Sequence, residues 1–527
     1  MEWTMDILKV LDPVHYVTVQ NYYFHPYFGP LSLAGMLGIA GYPDSLNHSA
    51  DAHSVEMVYF VPRILMGILV VIDTFLIYKI CDRRYNRNVA FVASLLFAVM
   101  PITWLLRFVS LDNILLPFLL SSILFAVYTR ESTSAFKNKN KIVKNSNKVL
   151  LVIISGVLLG LAIFTKETAF IMIPLVGFLI FTNNNKSWKM LGLWFVPVIL
   201  LPLIWPASLF FAGHFDDWLN NIQFQTHRVS KPLVDSIVAM FKADPILMTL
   251  AFVGIGLAAL RRDLFVLLWT IPFIIFFSVI NFVSMLHLIV ILPVLCISAG
   301  MLILDISYKI NNRYQKTISK IFVDEYSRKR KVRFTIKKYL LPTFKSSPGI
   351  IGLIIISAVA IFGLTSTVML VSLNLNSPYF EAVALLTNYL PDKKSTAANY
   401  QNIVTVVSRD NDYIWIPEYV FGKDQHVYQS YFWNKPIKAG KYLLVVNDQF
   451  KNLMSKNDER AKRLHILYNN TVARATFESN SDYHDLYKYP YTSISDKQVL
   501  ASVGLVSGTK PGTIEIRTNY LPLEGKR

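Results

Sequence analysis

MVYFVPRILMGILVVIDTFLIYKI, residues 57–80, is a run of 24 residues with only three charges, Arg63, Asp73 and Lys79. A helix that crosses a bilayer needs about 20 mostly apolar residues, so this stretch alone is long enough. Nine similar runs follow, over residues 88–106, 112–129, 148–165, 168–182, 189–212, 246–260, 264–281, 284–304 and 348–373. Of all 527 residues, 53% are hydrophobic and 16% charged, and the mean hydropathy is +0.41. Soluble chains carry roughly 25% charged residues. A soluble chain of this length would need ordinary charged surfaces on two or more domains. The expectation is an all-α polytopic membrane protein.

The net charge of +18 arises from 52 Lys and Arg against 34 Asp and Glu. Much of the excess lies in loops between apolar runs rather than on one folded face, so nucleic acid is not the implied partner. Residues 305–347 carry twelve basic and three acidic side chains, and residues 130–148 carry six and one. Basic residues also follow the first run (Arg83, Arg84, Arg87), the fifth (Lys186, Lys189) and the seventh (Arg261, Arg262). Every second loop is therefore basic, the signature of cytoplasmic loops. Ten spans with this alternation put both chain ends outside. Residues 1–26 lack the basic start and apolar segment of a signal peptide, so the expectation is a further membrane helix upstream of Met1, eleven in all. Residues 27–41 (YFGPLSLAGMLGIAG) are short for a span and read as a helix lying at the outer interface.

Three regions result: an exterior loop with interfacial helices over 1–56, a transmembrane domain over 57–373, and an exterior soluble α/β domain over 374–527. The tail is polar and rich in tyrosine. "YIWIPEYVF" (413–421), "KYLLVVND" (441–448) and "TIEIRTNYL" (513–521) read as strands, and residues 381–390 as a short helix. Asn47 and Asn469 head glycosylation sequons on the exterior side, whereas Asn185 heads one inside. Cys81 and Cys296 cannot build a disulfide framework or a zinc site.

Charges at outer helix ends stand apart from the loop charges, because a charge near the bilayer is expensive and faces a cavity or a partner. The candidates are Glu2, Asp6, His25, Arg63, Arg107 with Asp112, Lys166 with Glu167, the stretch Asp216 to Lys231, and His287. Arg63 is the strongest, several residues into an apolar run, where a bare guanidinium wants an anion. Each has a plainer reading. Arg107 and Asp112 could simply pair at a helix end or snorkel to the interface, Lys166 and Glu167 be ordinary turn charges, His25 a turn residue and His287 a satisfied core histidine. Asp73 reads as a structural partner or polar contact.

Five segments resemble, in order, the GT-C superfamily of membrane glycosyltransferases, and within it the protein O-mannosyltransferase group (glycosyltransferase family 39). They are "FHPYFGPLSLAGMLGIAGYP" (24–43), "YFVPRILMGIL" (59–69), "LRFVSLDN" (106–113), "GLAIFTKETAFIMIP" (160–174) and "MLHLIVILP" (285–293). The resemblance covers about residues 1–305. The family carries an Asp-Glu pair in its first exterior loop. Here Glu2 falls where the glutamate belongs, and Met1 stands in place of the aspartate. Three explanations stay open: the aspartate lies upstream, Asp6 substitutes as base, or the chain is inactive.

The resemblance implies an inverting transfer of a sugar, typically mannose, from a polyprenyl or dolichyl phosphate to an acceptor hydroxyl on protein Ser/Thr at the outer face. Glu2 or Asp6 would be the catalytic base. Arg63, Arg107 and Lys166 would bind the donor phosphate, whose developing charge needs fixed cations. His25, Asp112, Glu167 and His287 would bind substrate. No metal and no cofactor beyond the lipid-linked donor is implied. The competing readings are a lipid or glycan acceptor with the same donor, a polytopic transporter, and a non-catalytic membrane scaffold. The Trp-Trp-Asp-Tyr-Gly motif of oligosaccharyltransferases is absent.

Overall fold

In a computed structural model every one of the ten apolar runs is helical. The structure describes residues 1–19, 23–46, 49–130, 141–226, 232–280, 282–326, 349–371, 377–390, 404–408, 412–423, 426–427, 441–456, 458–478 and 513–520. Asn47 and Lys231, together with much of the basic stretches 130–148 and 305–347, lie outside the described residues.

Three helices come first: α1 (Glu2–Val10), α2 (His15–Val19) and α3 (Phe28–Ile39). The bundle follows as α4 (Ala52–Arg84), α5 (Arg87–Val99), α6 (Pro101–Leu105), α7 (Leu111–Tyr128) and α8 (Lys141–Thr165). A 3-10 segment, Glu167–Met172, then leads into α9 (Ile173–Asn183), α10 (Trp188–Phe211), α11 (Phe215–Thr226), α12 (Leu233–Ala243), α13 (Pro245–Leu260) and α14 (Leu264–Ile280). A second 3-10 segment, Met285–Val290, precedes α15 (Leu292–Tyr326) and α16 (Gly349–Val371). Short polar side chains start many of these helices by accepting an orphan backbone N–H. Asp51 caps α4, Asn86 α5, Ser187 α10 and Asp244 α13.

Ten apolar runs do not make ten full-length spans. Among the described residues, five helices are long and apolar enough to cross a bilayer, namely α4, α7, α8, α10 and α15. The pair α13–α14 adds a sixth if counted as one, but it bends by 118° at its break. Several of the runs are broken or cut short. Pro101, which opens α6, separates it from α5, the 3-10 turn shortens α9, and the turn at Arg261–Asp263 splits α13 from α14.

The alternation of loop charge is realised as geometry. Arg83 donates to the carbonyl of Arg130 at 3.1 Å, and Asn184 donates to Thr129 Oγ1 at 3.3 Å. The Tyr85 hydroxyl donates to Asp263 at 2.7 Å, and Arg261 pairs with Asp305. The loops after the first, third, fifth, seventh and ninth runs thus meet at one end of the bundle. The helices between them pack closely. Gly156 and Gly160 of α8 face α10: a Cβ on Gly160 would lie 2.5 Å from the Pro197 carbonyl oxygen, and one on Gly156 would run into that of Trp194. Small residues that let backbones approach are how helices associate without a hydrophobic drive in lipid. Ser122 of α7 and Ser155 of α8 exchange hydrogen bonds with each other's carbonyls at 2.7 and 2.9 Å.

The C-terminal region forms α17 (Ser377–Tyr389), β1 (Val404–Val407), α18 (Asp412–Trp415), a π-helical turn Ile416–Val420, β2 (His426–Val427), β3 (Lys441–Val446), α19 (Asp448–Met454), α20 (Glu459–Asn469), β4 (Val472–Phe477) and β5 (Ile514–Thr518). The sheet order is β2-β1-β3-β5-β4. β1 runs parallel to β2 and β3, whereas β5 is antiparallel to β3 and β4, with Val445 opposite Ile516. Alternation along β3 divides the core, as a period of two requires. Leu443 and Val445 join α17 and the α3–α4 region, while Tyr442, Leu444 and Val446 pack with Phe450, Leu464 and Leu467 of α19 and α20.

Two of the three expected strands form, as β3 and β5, and the helix expected at 381–390 forms within α17. The third, 413–421, is helical instead. Pro417 supplies no N–H to a ladder, and Tyr413, Trp415 and Ile416 are all buried.

Candidate active site

The end of the bundle opposite the basic loops is assembled from α1, α3 and the starts of α4 and α7, with the close of α8. Gly29 makes the approach possible. A Cβ there would lie 2.5 Å from Leu111 Cδ2 and 3.1 Å from Thr165 Cγ2, so α3 rests directly on the first turn of α7 and the last of α8. That contact brings His25, just before α3, to Glu167, just after α8. His25 Nδ1 lies 3.2 and 3.3 Å from the two carboxylate oxygens.

Beside this pair, Lys166 Nζ donates to Asp112 Oδ2 at 2.7 Å, with side chains only 7% and 3% exposed. Asp112 lies in the first turn of α7, where the helix dipole favours an anion, and Ser110 caps that helix. Arg107 does not pair with Asp112. It donates to Asp73 Oδ2 of α4 at 3.1 Å and to Asn113 Oδ1 at 2.8 Å. Asp73, read from the sequence as a structural partner or polar contact, is the acid that Arg107 engages. Asn113 in turn donates to the carbonyls of Leu106 and Phe108 at 2.9 and 2.8 Å. The loop between α6 and α7 is thereby held rigidly.

The two candidate bases differ sharply. Asp6 is 2% exposed and engages His15 Nδ1 with both oxygens, at 3.2 and 3.0 Å. Glu2, one turn earlier on α1, lines a cavity of about 360 Å³ with Tyr16, Pro30, Leu33, Ser110 and Trp415. Trp3 fixes α1 by donating to the Pro13 carbonyl at 3.2 Å and stacking on Tyr16 at 5.7 Å.

Arg63 lies one helical turn beyond Tyr59 on α4, its guanidinium 5.9 Å from that ring's centroid. Tyr59 in turn packs on Trp415 at 6.5 Å and hydrogen-bonds the Tyr379 hydroxyl at 2.6 Å. Arg63, an exposed residue that does not itself line the cavity, thus reaches Trp415 through Tyr59 rather than through carboxylates such as those that hold Arg107 and Lys166. His287 accepts the Ser284 backbone N–H at 3.2 Å, completing a capping box, and stacks on Phe277 at 5.2 Å. At the start of the Asp216 to Lys231 stretch, Asp217 pairs with His214 at 3.2 Å. Among the described residues no group of three His, Cys, Asp or Glu side chains is placed to hold a metal ion.

Sequence reasoning missed His15, Asn113, Tyr59 and Trp415. Asn113 sits inside a quoted motif, and His15 follows Asp6 closely. Trp415 carries no local signal.

Residues 52–210 match the model of a family described as dolichyl-phosphate-mannose-protein mannosyltransferase. That interval contains three of the five resembling segments, 59–69, 106–113 and 160–174. ArnT from Cupriavidus metallidurans, solved bound to undecaprenyl phosphate, aligns over 100% of this chain and 94% of its own at 11% identity, with a TM-score of 0.53. The chain shares the fold of that structure. The oligosaccharyltransferase of Archaeoglobus fulgidus, solved with a tethered acceptor peptide, aligns over 81% of this chain at 12% identity and a TM-score of 0.47. This chain spans 61% of that protein's length. No curated protein matches the sequence.

Proposed function

We propose that this GT-C protein transfers a sugar, mannose in the first instance, from a polyprenyl or dolichyl phosphate to a Ser or Thr hydroxyl of a protein, at the extracytoplasmic face. The observation that carries the reading is the placement of Glu2. It is a carboxylate in a cavity at the bundle end opposite the basic loops, and Arg63 of α4 lies two aromatic contacts away, through Tyr59 and Trp415. The family match over residues 52–210 supports the donor class.

In this reading Glu2 takes the proton from the acceptor hydroxyl as it attacks the anomeric carbon, and configuration inverts. Arg63 meets the phosphate as charge develops on it. Lys166 and Arg107, each paired with a buried carboxylate, hold the loops beside the site. Asp6 orients His15 rather than acting as base. His25 with Glu167 borders the site, and His287 shapes the helix entry nearby. No cofactor beyond the lipid-linked donor is required.

The test uses full-length protein in proteoliposomes with labelled mannosyl-phosphoundecaprenol and a Ser/Thr-rich peptide. Glu2→Gln should lower transfer by about a hundred- to ten-thousand-fold, the range for removing a general base, with Asp6→Asn much milder. Arg63→Ala should raise the donor KM about tenfold, equivalent to about 1.4 kcal/mol. Equal activity of Glu2→Gln and wild type would refute the assignment of the base. A lipid acceptor with the same donor is the competing reading. Replacing the peptide with a glycolipid acceptor in the same assay separates the two.

A further inference from the structure

We propose that Trp415 of the C-terminal domain forms one wall of the subsite for the transferred sugar, so that the soluble domain is part of the active site. The inference rests on the donor reading above and goes beyond it by naming the residue that distinguishes a sugar-bearing carrier from the bare lipid phosphate.

Trp415 lines the same cavity as Glu2 and Ser110, although it comes from the opposite end of the chain. Its position is fixed rather than incidental. The residue is 2% exposed, its ring packs on Tyr59 of α4, and Tyr59 is hydrogen-bonded to Tyr379 of α17. Tyr379 also packs on Tyr413 at 5.2 Å, two residues before Trp415. The aromatic cluster therefore locks the 413–415 segment to the start of α4, the helix that carries Arg63.

The cavity lining is divided in chemistry. It includes residues with polar side chains, Glu2, Thr4 and Ser110, and apolar ones, among them Trp415, Pro30 and Leu33. A pyranose is divided in the same way, with hydroxyls around its edge and C–H groups on its faces. The size agrees as well. About 360 Å³ is near the lower limit of roughly 300–1,000 Å³ for ligand pockets, which leaves room for one sugar unit.

The experiment measures thermal unfolding of the full-length protein in detergent, titrated separately with undecaprenyl phosphate and with mannosyl-phosphoundecaprenol. Wild type should bind the sugar-bearing lipid about tenfold more tightly than the bare one. Trp415→Ala should bind both equally, with its affinity for the bare lipid unchanged, a pattern that general destabilisation would not produce. Trp415→Phe should keep part of the preference. If Trp415→Ala does not fold, Trp415→Leu, which keeps apolar volume but lacks the ring, should show the same loss. A Trp415 variant that retains the full preference overturns the proposal while leaving the donor reading intact. A wild type that binds neither lipid overturns the donor reading itself, and the two failures are distinguished by the wild-type titration alone.

Discussion

A lysine whose side chain is 7% exposed, set against a carboxylate 3% exposed, is stable only as a pair, because each charge alone would bear its full desolvation cost. Lys166–Asp112 and Arg107–Asp73 both have this form. Removing one member of such a pair typically costs about 3–5 kcal/mol, whereas replacing both with apolar groups is often neutral. Lys166→Met and Asp112→Leu should each lower detergent stability by about that amount, and the double variant should recover most of it in a thermal-unfolding cycle. Additive losses would show that the two do not act as a pair. The same contrast separates Glu2 from Asp6, since two acids four positions apart on one helix meet a cavity and a histidine respectively.

At the scale of elements, the contact between α8 and α10 depends on the absence of side chains at Gly156 and Gly160. Gly160→Leu would drive a Cβ to within 2.5 Å of the Pro197 carbonyl oxygen, and neither backbone can yield cheaply. A loss of about 1–3 kcal/mol or more is expected for such overpacking, read as a lower midpoint in denaturant. Gly192→Ala, whose Cβ would have no neighbour within 4 Å, is the matched control and should change stability by about 0.5 kcal/mol or less. Element boundaries also explain why, among the described residues, the apolar runs 88–106 and 168–182 do not form single full-length helices. Hydropathy counts residues in a window, but it does not register that Pro101 or the Lys166 turn divides the helix.

At the scale of the whole molecule, the basic loops gather at one end and the Glu2 cavity at the other. Cys81 and Cys296 are both buried, so single surface cysteines can be labelled without background. In oriented vesicles a membrane-impermeant maleimide should label Ser45→Cys or Arg262→Cys, but not both from one side. Labelling of both from one side would refute the arrangement.

The C-terminal domain has its own acid sensitivity. Burial pushes the Glu515 carboxyl up, but Lys451 at 2.9 Å and Arg517 at 3.1 Å outweigh it and hold the group below its ordinary value. A depressed carboxylate contributes stability that is complete above its unfolded value, about 4.3, and is lost as pH falls through the folded value. Glu515→Gln should therefore lower the domain's resistance to proteolysis at pH 7 and flatten its decline below about pH 4.3.

The sequence by itself determined where the apolar helices lie, which loops share an end of the bundle, and where β3 and β5 form. These features follow from local composition: burial in lipid adds up residue by residue, and alternation along a strand repeats every two. Only the tertiary structure decided that Arg107 takes Asp73 rather than Asp112, that Asp112 takes Lys166, and that Asp6 is spent on His15 while Glu2 reaches the cavity. It alone turned residues 413–421 from a strand into a helix and carried Trp415 to the cavity beside Glu2. Those outcomes depend on which backbones can approach, as at Gly29, and on buried charges finding partners from distant segments. A one-dimensional pattern contains neither distance.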